Sequence, residues 1–331
     1  MSTIDQVALL SKVSVATVSR VINNSGNVSP ETKERVLAAI EKLKYQPNAM
    51  GSLLRKEHTG MILVMLHSVD NPFFSPIVQG IEYFAQSNGM NVLICTTYGD
   101  KKREQHYLDL LKTHFVDGIL LITNTLTLDE LNALNAQYPL VQVVEYLQGS
   151  EASYFSIDFY EATSAMIEQL VEKGHKHIAF VHAGLVDIIS TKMKYKAYLD
   201  VLNKHGLKPY VSETPDHLFG YESGKDIARA LLKKHPKITA FFATSDLMAC
   251  GILDEISSQG FNIPKDKVIL GFDNTIFSTL VRPNLTSVDV NGFQLGYQSL
   301  EYLHKRINNK KYTEKVQAYL PYIIHERESS N

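Results

Sequence analysis

Cysteine is scarce in this 331-residue chain: there are two, Cys95 and Cys250, each in an apolar or small-residue context and neither in a C-x-x-C pair. They read as reduced, buried thiols, which excludes a disulfide framework and a thiolate metal site. Long hydrophobic runs are missing as well; no apolar stretch approaches the ~20 residues that a membrane span needs. The first helix signal begins at Thr3 with no basic region and apolar stretch ahead of it. A secretory leader is therefore not expected, and the cytoplasm is the expected compartment. There is no Walker loop, no G-x-G-x-x-G, no G-x-S-x-G and no H-E-x-x-H, which removes common nucleotide, hydrolase and zinc-peptidase signatures. His175, Lys176 and His177 are not at metal-ligand spacing and precede a strand-like run, so they read as a surface turn. Neither a metal nor a cofactor is expected. The polar tail after Ile324 carries no leucine heptads, so a coiled-coil tetramer is not expected and a dimer is the default.

What the chain does have is 44% hydrophobic residues over a length sufficient for more than one core, which suits a small domain plus a larger two-lobed one. The small domain is at the start. Thr3 and Gln6 have capping-box spacing, and Ile4, Val7 and Ala8 form one apolar stripe of a first helix. Lys12 and Val13 turn into Ser14, whose hydroxyl can cap the segment SVATVSRVI. Val18, Val21 and Ile22 would face inward, leaving Val15, Ala16, Thr17, Ser19 and Arg20 facing out. Ser29 caps a third helix with Pro30 at its first position and Val36, Leu37, Ile40 and Leu43 as its packing stripe. Two short helices joined by a turn are the helix-turn-helix arrangement, whose second helix enters the DNA major groove. The alternative is a plain three-helix bundle. Charge weighs against that: Met1 to Thr59 holds eight Lys or Arg and five Asp or Glu, a net +3, in a chain whose total is −2.

From Met61 the pattern changes. Apolar runs of strand length (Ile62–Leu66, Val92–Cys95, Gly118–Ile122, Leu140–Val144, Ile178–Val181, Ala240–Ala243, Val268–Gly271) alternate with amphipathic stretches such as Pro76–Ser87 and Tyr160–Lys173. Such alternation implies parallel sheets covered on both faces, and two sets of comparable length suggest two similar lobes. A last strand is expected at Leu320–Ile324.

In their order and spacing, TIDQVA at Thr3, VSVATVSRVIN at Val13, VSPETKERV at Val28, YQPNA at Tyr45, NPFF at Asn71, VDGILL at Val116, GHKHIAF at Gly174, ATSDLMACG at Ala243, LGFDN at Leu270 and LTSV at Leu285 carry a resemblance along the whole chain. The chain resembles the lac repressor/galactose repressor (LacI/GalR) family of bacterial transcription regulators. The resemblance implies an all-α helix-turn-helix domain at 1–47, a hinge helix and linker at 48–60, and an α/β periplasmic-binding-protein-like domain at 61–331. The last would have two doubly wound parallel-sheet lobes, about 61–157 with 290–319 and about 158–289 with 320–331. Crossovers would fall near Ser156–Asp158, Val288–Asn291 and Tyr319–Pro321.

By the same matching, Val15, Ala16 and Arg20 stand at base-reading positions. Arg20 can pair bidentately with guanine, whereas Val15 and Ala16 offer only apolar contact. Thr17 and Ser19 can add base or phosphate hydrogen bonds. Ser14, Asn23, Asn27, Ser29 and Thr32 match the phosphate side, where a capped helix N-terminus also attracts phosphate. Asn48 to Arg55 matches the hinge helix, with Leu54 at the position of an apolar wedge that enters the minor groove. Gly51 and Ser52 depart from the usual residues there, and Gly51 weakens the helix by up to ~1 kcal/mol against alanine.

Phe73, Phe74, Asp158, Lys194, Phe219, Ser245 and Asp273 match the effector cleft, aromatic walls with two carboxylates suiting a polyol. Lys194 replaces a forking arginine, and a point charge would suit a phosphosugar or acidic sugar; the alternative is that it points to solvent among Lys192 and Lys196. Paired carboxylates also occur in glycoside hydrolases, but here they would stand at strand ends in a fold that resembles binders. An extracytoplasmic solute-binding protein would lack the helix-turn-helix. The expectation is a non-enzymatic homodimeric regulator of a carbohydrate operon, or a purine- or co-regulator-activated repressor of the same family. Its partners would be double-stranded operator DNA and a small effector, with no membrane.

Overall fold

The computed structural model describes residues 2–45, 58–184, 188–213, 220–309, 311–312 and 314–331. The hinge readings on Asn48, Gly51, Ser52 and Leu54, and the cleft reading on Phe219, lie outside the described residues. The chain divides into two compact units, Met1–Thr59 and Gly60–Asn331.

In the first unit, α1 (Ile4–Ser11) starts at a complete capping box: Gln6 N donates to Thr3 Oγ1 at 3.3 Å and Thr3 N to Gln6 Oε1 at 3.0 Å. Lys12 closes the helix in a left-handed conformation, and Ser14 opens α2 (Val15–Ile22) by accepting from Thr17 N. Ser29 does the same for α3 (Pro30–Leu43) through Thr32 N. Val7, Ala8, Val18, Val21, Val36 and Ala39 form the small core, with Ile4, Val15, Ile22, Ile40 and Leu43 packed around it. Leu37 is not part of this stripe and is 48% exposed. The α3 stripe runs through Ala39 instead, because position 37 lies a full ~100° around the helix from Val36.

The second unit holds two parallel sheets. Along the chain its elements are β1 (Met61–Leu66), α4 (Phe74–Ser87), β2 (Asn91–Thr96), α5 (Lys101–Lys112), β3 (Gly118–Leu121), α6 (Leu128–Gln137), β4 (Leu140–Val143) and β5 (Ser153–Ser156). There follow α7 (Phe159–Glu172), β6 (Ile178–His182), α8 (Ile189–Lys204), β7 (Tyr210–Glu213), α9 (Tyr221–Lys234), β8 (Ala240–Ala243), α10 (Asp246–Ser258) and β9 (Val268–Leu270). The chain ends with α11 (Phe277–Leu280), β10 (Ser287–Asp289), α12 (Gly292–Asn308), β11 (Gln317–Tyr319) and β12 (Ile323–His325). The N-lobe sheet has the order β11-β5-β4-β3-β1-β2 and the C-lobe sheet β7-β6-β8-β9, while β10 and β12 form an antiparallel pair. Strands β1, β3, β4, β6 and β8 are buried almost throughout, which accounts for the unbroken apolar sequences of β1, β3 and β8; the buried Gln142 inside β4 is satisfied by Ser150 Oγ and Leu147 N.

The chain leaves the N-lobe after β5, returns between β10 and α12, and leaves again after β11. The strand expected at Leu320–Ile324 is β12, shifted to Ile323–His325 and paired with β10; β11 ends before it at Tyr319 in the N-lobe sheet, and Pro321 lies between the two. Proline has no amide to give to a ladder, so a strand does not run through it. In each lobe one helix pair crosses at glycine: a Cβ on Gly80 of α4 would lie 2.0 Å from Phe293 O of α12, and one on Gly251 of α10 would lie 1.9 Å from Tyr221 O of α9.

Candidate functional site

The first unit presents the outer face of α2. Ala16 and Arg20 are exposed, whereas Val15 is half-buried against the small core, so apolar base contact falls mainly to Ala16. The Arg20 stem passes over Gly26, its Cδ 3.5 Å from where a Cβ there would stand. Gly26 also has φ +74, so two separate constraints favour glycine at that place. Thr17 is engaged at the cap, 3.0 Å from Ser14 Oγ, and Ser19 takes Asn23 Nδ2 at 3.2 Å on its hydroxyl. Ser29 Oγ donates to Thr32 Oγ1 at 2.9 Å, and Asn27 is exposed in the turn before it. Ser14 and Ser29 thus each sit at a helix N-terminus with first-turn amides still free for an anion.

In the second unit the charged centre is assembled from the carboxyl ends of strands, where an open α/β sheet leaves its crevice. Lys194 of α8 is 4% exposed. Its Nζ donates to Thr244 O at 3.2 Å and lies 3.6 Å from the ring centre of Phe272 and 5.2 Å from that of Phe159. It therefore does not point to solvent with Lys192 and Lys196, which are engaged by Gln148 and Asp200. Burial pulls the Lys194 pKa down while Asp273, Glu145 and Asp246 hold it up.

Asp273 follows β9 with φ +99, a backbone that few non-glycine residues adopt. Burial pushes its carboxyl up to about 6, against the pull of Lys194 and with a push from Glu145. Glu145 follows β4 of the N-lobe and accepts from Ser190 N at the start of α8 at 3.2 Å. Burial raises its pKa too. Asp246 is held by Ser287 Oγ at 2.5 Å, Thr275 N at 2.5 Å and Thr275 Oγ1 at 3.0 Å, and burial followed by the Asp273 charge pushes it up to about 7. Ser245 caps α10 through Met248 N at 3.4 Å.

The residues expected in the cleft do not all meet. Lys194 and Asp273 act on each other at this centre, and Ser245 caps α10 next to Thr244, whose carbonyl holds Lys194. Asp158 stands elsewhere, as the cap of α7 (Glu161 N to Oδ1, 2.8 Å) and on the wall of a pocket of about 400 Å³ with Tyr146, Gln148, Tyr160, Met193, Lys196 and Tyr319. Phe159 lines that pocket as well as standing near Lys194. Phe74 is 8% exposed and packs in the large apolar core of the second unit, and the half-buried Phe73, edge-on to it at 5.2 Å, has more of its surface open. Glu145 is not among the residues that the resemblance implies for the cleft, although it directly follows the apolar strand run Leu140–Val144. Among the described residues no group of His, Cys, Asp and Glu is arranged to hold a metal, and no helix is long and apolar enough to cross a membrane.

A helix-turn-helix unit in one chain with a two-lobed α/β unit, whose lobes both supply charge to one centre, defines a DNA-binding regulator with an effector-binding domain. Two family models match, the bacterial regulatory proteins of the lacI family over residues 3–48 and the periplasmic binding proteins and sugar binding domain of the LacI family over residues 59–326. The chain is 33% identical to catabolite control protein A of Priestia megaterium, over 99% of each protein. It is 34% identical to the ribose operon repressor of Halalkalibacterium halodurans, over 94% of this chain and 92% of that protein. The crystal structure of the lac repressor dimer bound to operator and the anti-inducer ONPF shares the fold, with a TM-score of 0.87 and 24% identity over 99% of this chain and 98% of that one. The chain belongs to the LacI family of bacterial transcription regulators, and it is a regulator rather than an enzyme.

Proposed function

We propose that this protein is a cytoplasmic homodimeric repressor of a carbohydrate-use operon, with a sugar or sugar derivative as its effector. Residues 1–47 read DNA, 48–60 connect, and 61–331 bind the effector and form the dimer. Arg20 and Ala16 contact bases, Val15, Thr17 and Ser19 support them, and Ser14, Asn23, Asn27, Ser29 and Thr32 hold phosphates. Leu54 enters the minor groove and Asn48 starts the hinge. Phe73, Lys194, Phe219, Ser245 and Asp273 serve the effector, with Glu145 added and Phe74 and Asp158 in support behind and beside them. What supports this reading is that Glu145, behind N-lobe strand β4, accepts from Ser190 N at 3.2 Å at the start of the C-lobe helix α8 that carries Lys194. A small molecule between them touches both lobes, so it favours one lobe arrangement over another, which is the differential contact that allosteric control requires.

The test is selection of bound duplexes from a random DNA pool, followed by titration at several salt concentrations. The expected product is a near-palindrome bound by a dimer, with affinity falling steeply with salt. Arg20→Ala is expected to cost ~1–3 kcal/mol and to relax one position in each half-site. Equal affinity and selectivity in the variant would remove Arg20 from the base-reading register.

A further inference from the structure

Within the effector site, and resting on the carbohydrate reading above, the charges do not balance. Asp273 has no hydrogen-bond partner for its carboxylate among the described residues, and Glu145 rests on the amide of Ser190. The cation beside them among the described residues, Lys194, gives its hydrogen bond to a carbonyl and lays its ammonium on the Phe272 ring. Next to it, Thr244 Oγ1 is buried and unpartnered in a residue 2% exposed. The site thus presents two carboxylates from opposite lobes, an idle hydroxyl, and a lysine whose charge already faces a ring and three acids, Asp273, Glu145 and Asp246. An incoming phosphate or carboxylate meets like charge on both sides, whereas an ammonium can donate to Glu145 and Asp273 together.

We infer that the effector is a polyol bearing a protonated amine, which bridges Glu145 of the N-lobe and Asp273 of the C-lobe. The assignment reverses the anionic class that the Lys194 replacement suggests in the sequence. Specificity here comes as much from repulsion of anionic sugars as from attraction of the amine. Buried carboxylates are costly to leave without a counter-charge, and an amine in this position supplies it.

The experiment is calorimetry on the full chain with glucose, galactose and mannose, each as the neutral sugar, the 2-amino-2-deoxy sugar and the 6-phosphate. At least one amino sugar is expected to bind ten-fold or more tightly than its neutral parent, with the matching 6-phosphate weaker than both. Glu145→Gln is expected to reduce the amine-to-neutral ratio at least five-fold, and Lys194→Gln to raise it, with thermal melting used to verify that each variant is folded. A neutral sugar or a 6-phosphate binding as tightly as the amino form overturns the inference and leaves the carbohydrate reading standing. If no sugar of any form binds, the carbohydrate reading falls and the inference with it.

Discussion

Replacing Lys194 with methionine asks directly whether the buried ammonium is held by the carboxylates around it. Methionine keeps most of the apolar stem, so the change removes mainly charge. Lost are the hydrogen bond to Thr244 O, about 0.5–1.5 kcal/mol, and the contact with the Phe272 ring, about 1–2 kcal/mol in a desolvated setting. Asp273 also loses its counter-charge. Its carboxyl already stands at about 6, so taking a proton at pH 7 costs about 1.4 kcal/mol at most. Against these stands relief from burying an ammonium, which is of the same order. The expected net loss is ~1–3 kcal/mol at pH 7. Lowering the pH protonates the carboxylates in both proteins, so the loss is expected to shrink by half or more at pH 5. Urea unfolding of wild type and Lys194→Met at the two pH values measures this. A loss that is the same at both pH values would mean that Lys194 is not electrostatically coupled to Asp273 and Glu145, and the effector site drawn here would be wrong.

Three further outcomes follow from particular contacts. Gly251→Ala is expected to lower stability by ~3 kcal/mol or more in thermal or urea unfolding, because a Cβ there would stand 1.9 Å from the Tyr221 carbonyl and the two helices would have to part. Asp246 binds its proton more tightly folded, at about 7, than at its ordinary value of 3.8. The folded state therefore holds the extra proton between those values, and stability should fall as pH rises toward 7 and above. A higher melting temperature at pH 6 than at pH 8, largely flattened in Asp246→Asn, is the expected result. Gly26→Ala is expected to weaken operator binding in an anisotropy titration, since it strains a φ of +74 and crowds the Arg20 stem.

Much of the fold was legible because buried parallel strands must be apolar on both faces; the run Ala240–Ala243 coincides with β8 to the residue. Strand β5 was missed for the opposite reason. Its sequence SYFS is polar, and it tolerates burial only because Ser153 Oγ donates to Tyr302 Oη at 2.7 Å and Ser156 Oγ to Val144 O at 2.7 Å, partners that no local pattern announces. The short edge strand β7 and the three-residue β10 and β11 carry too few apolar residues for a periodicity to register. In the first unit the caps at Thr3, Ser14 and Ser29 were readable because capping is local chemistry. Which strand ends adjoin is not local. The resemblance alone groups Asp158 with Lys194 and Asp273, and no local pattern announces that Glu145, at the end of β4, reaches the start of α8.

If one chain couples a small-molecule site to DNA reading, the operator affinity of this chain must differ with and without its ligand. With the selected near-palindrome and the tightest sugar from calorimetry, saturating ligand is expected to change operator affinity by 5–150-fold, the range of ordinary allosteric coupling. Asp273→Asn is expected to abolish that change while leaving ligand-free operator affinity within two-fold of wild type. A ligand that binds the protein yet leaves operator affinity unchanged, or an Asp273→Asn protein that loses DNA binding without ligand, would mean that the two sites are not coupled through Asp273.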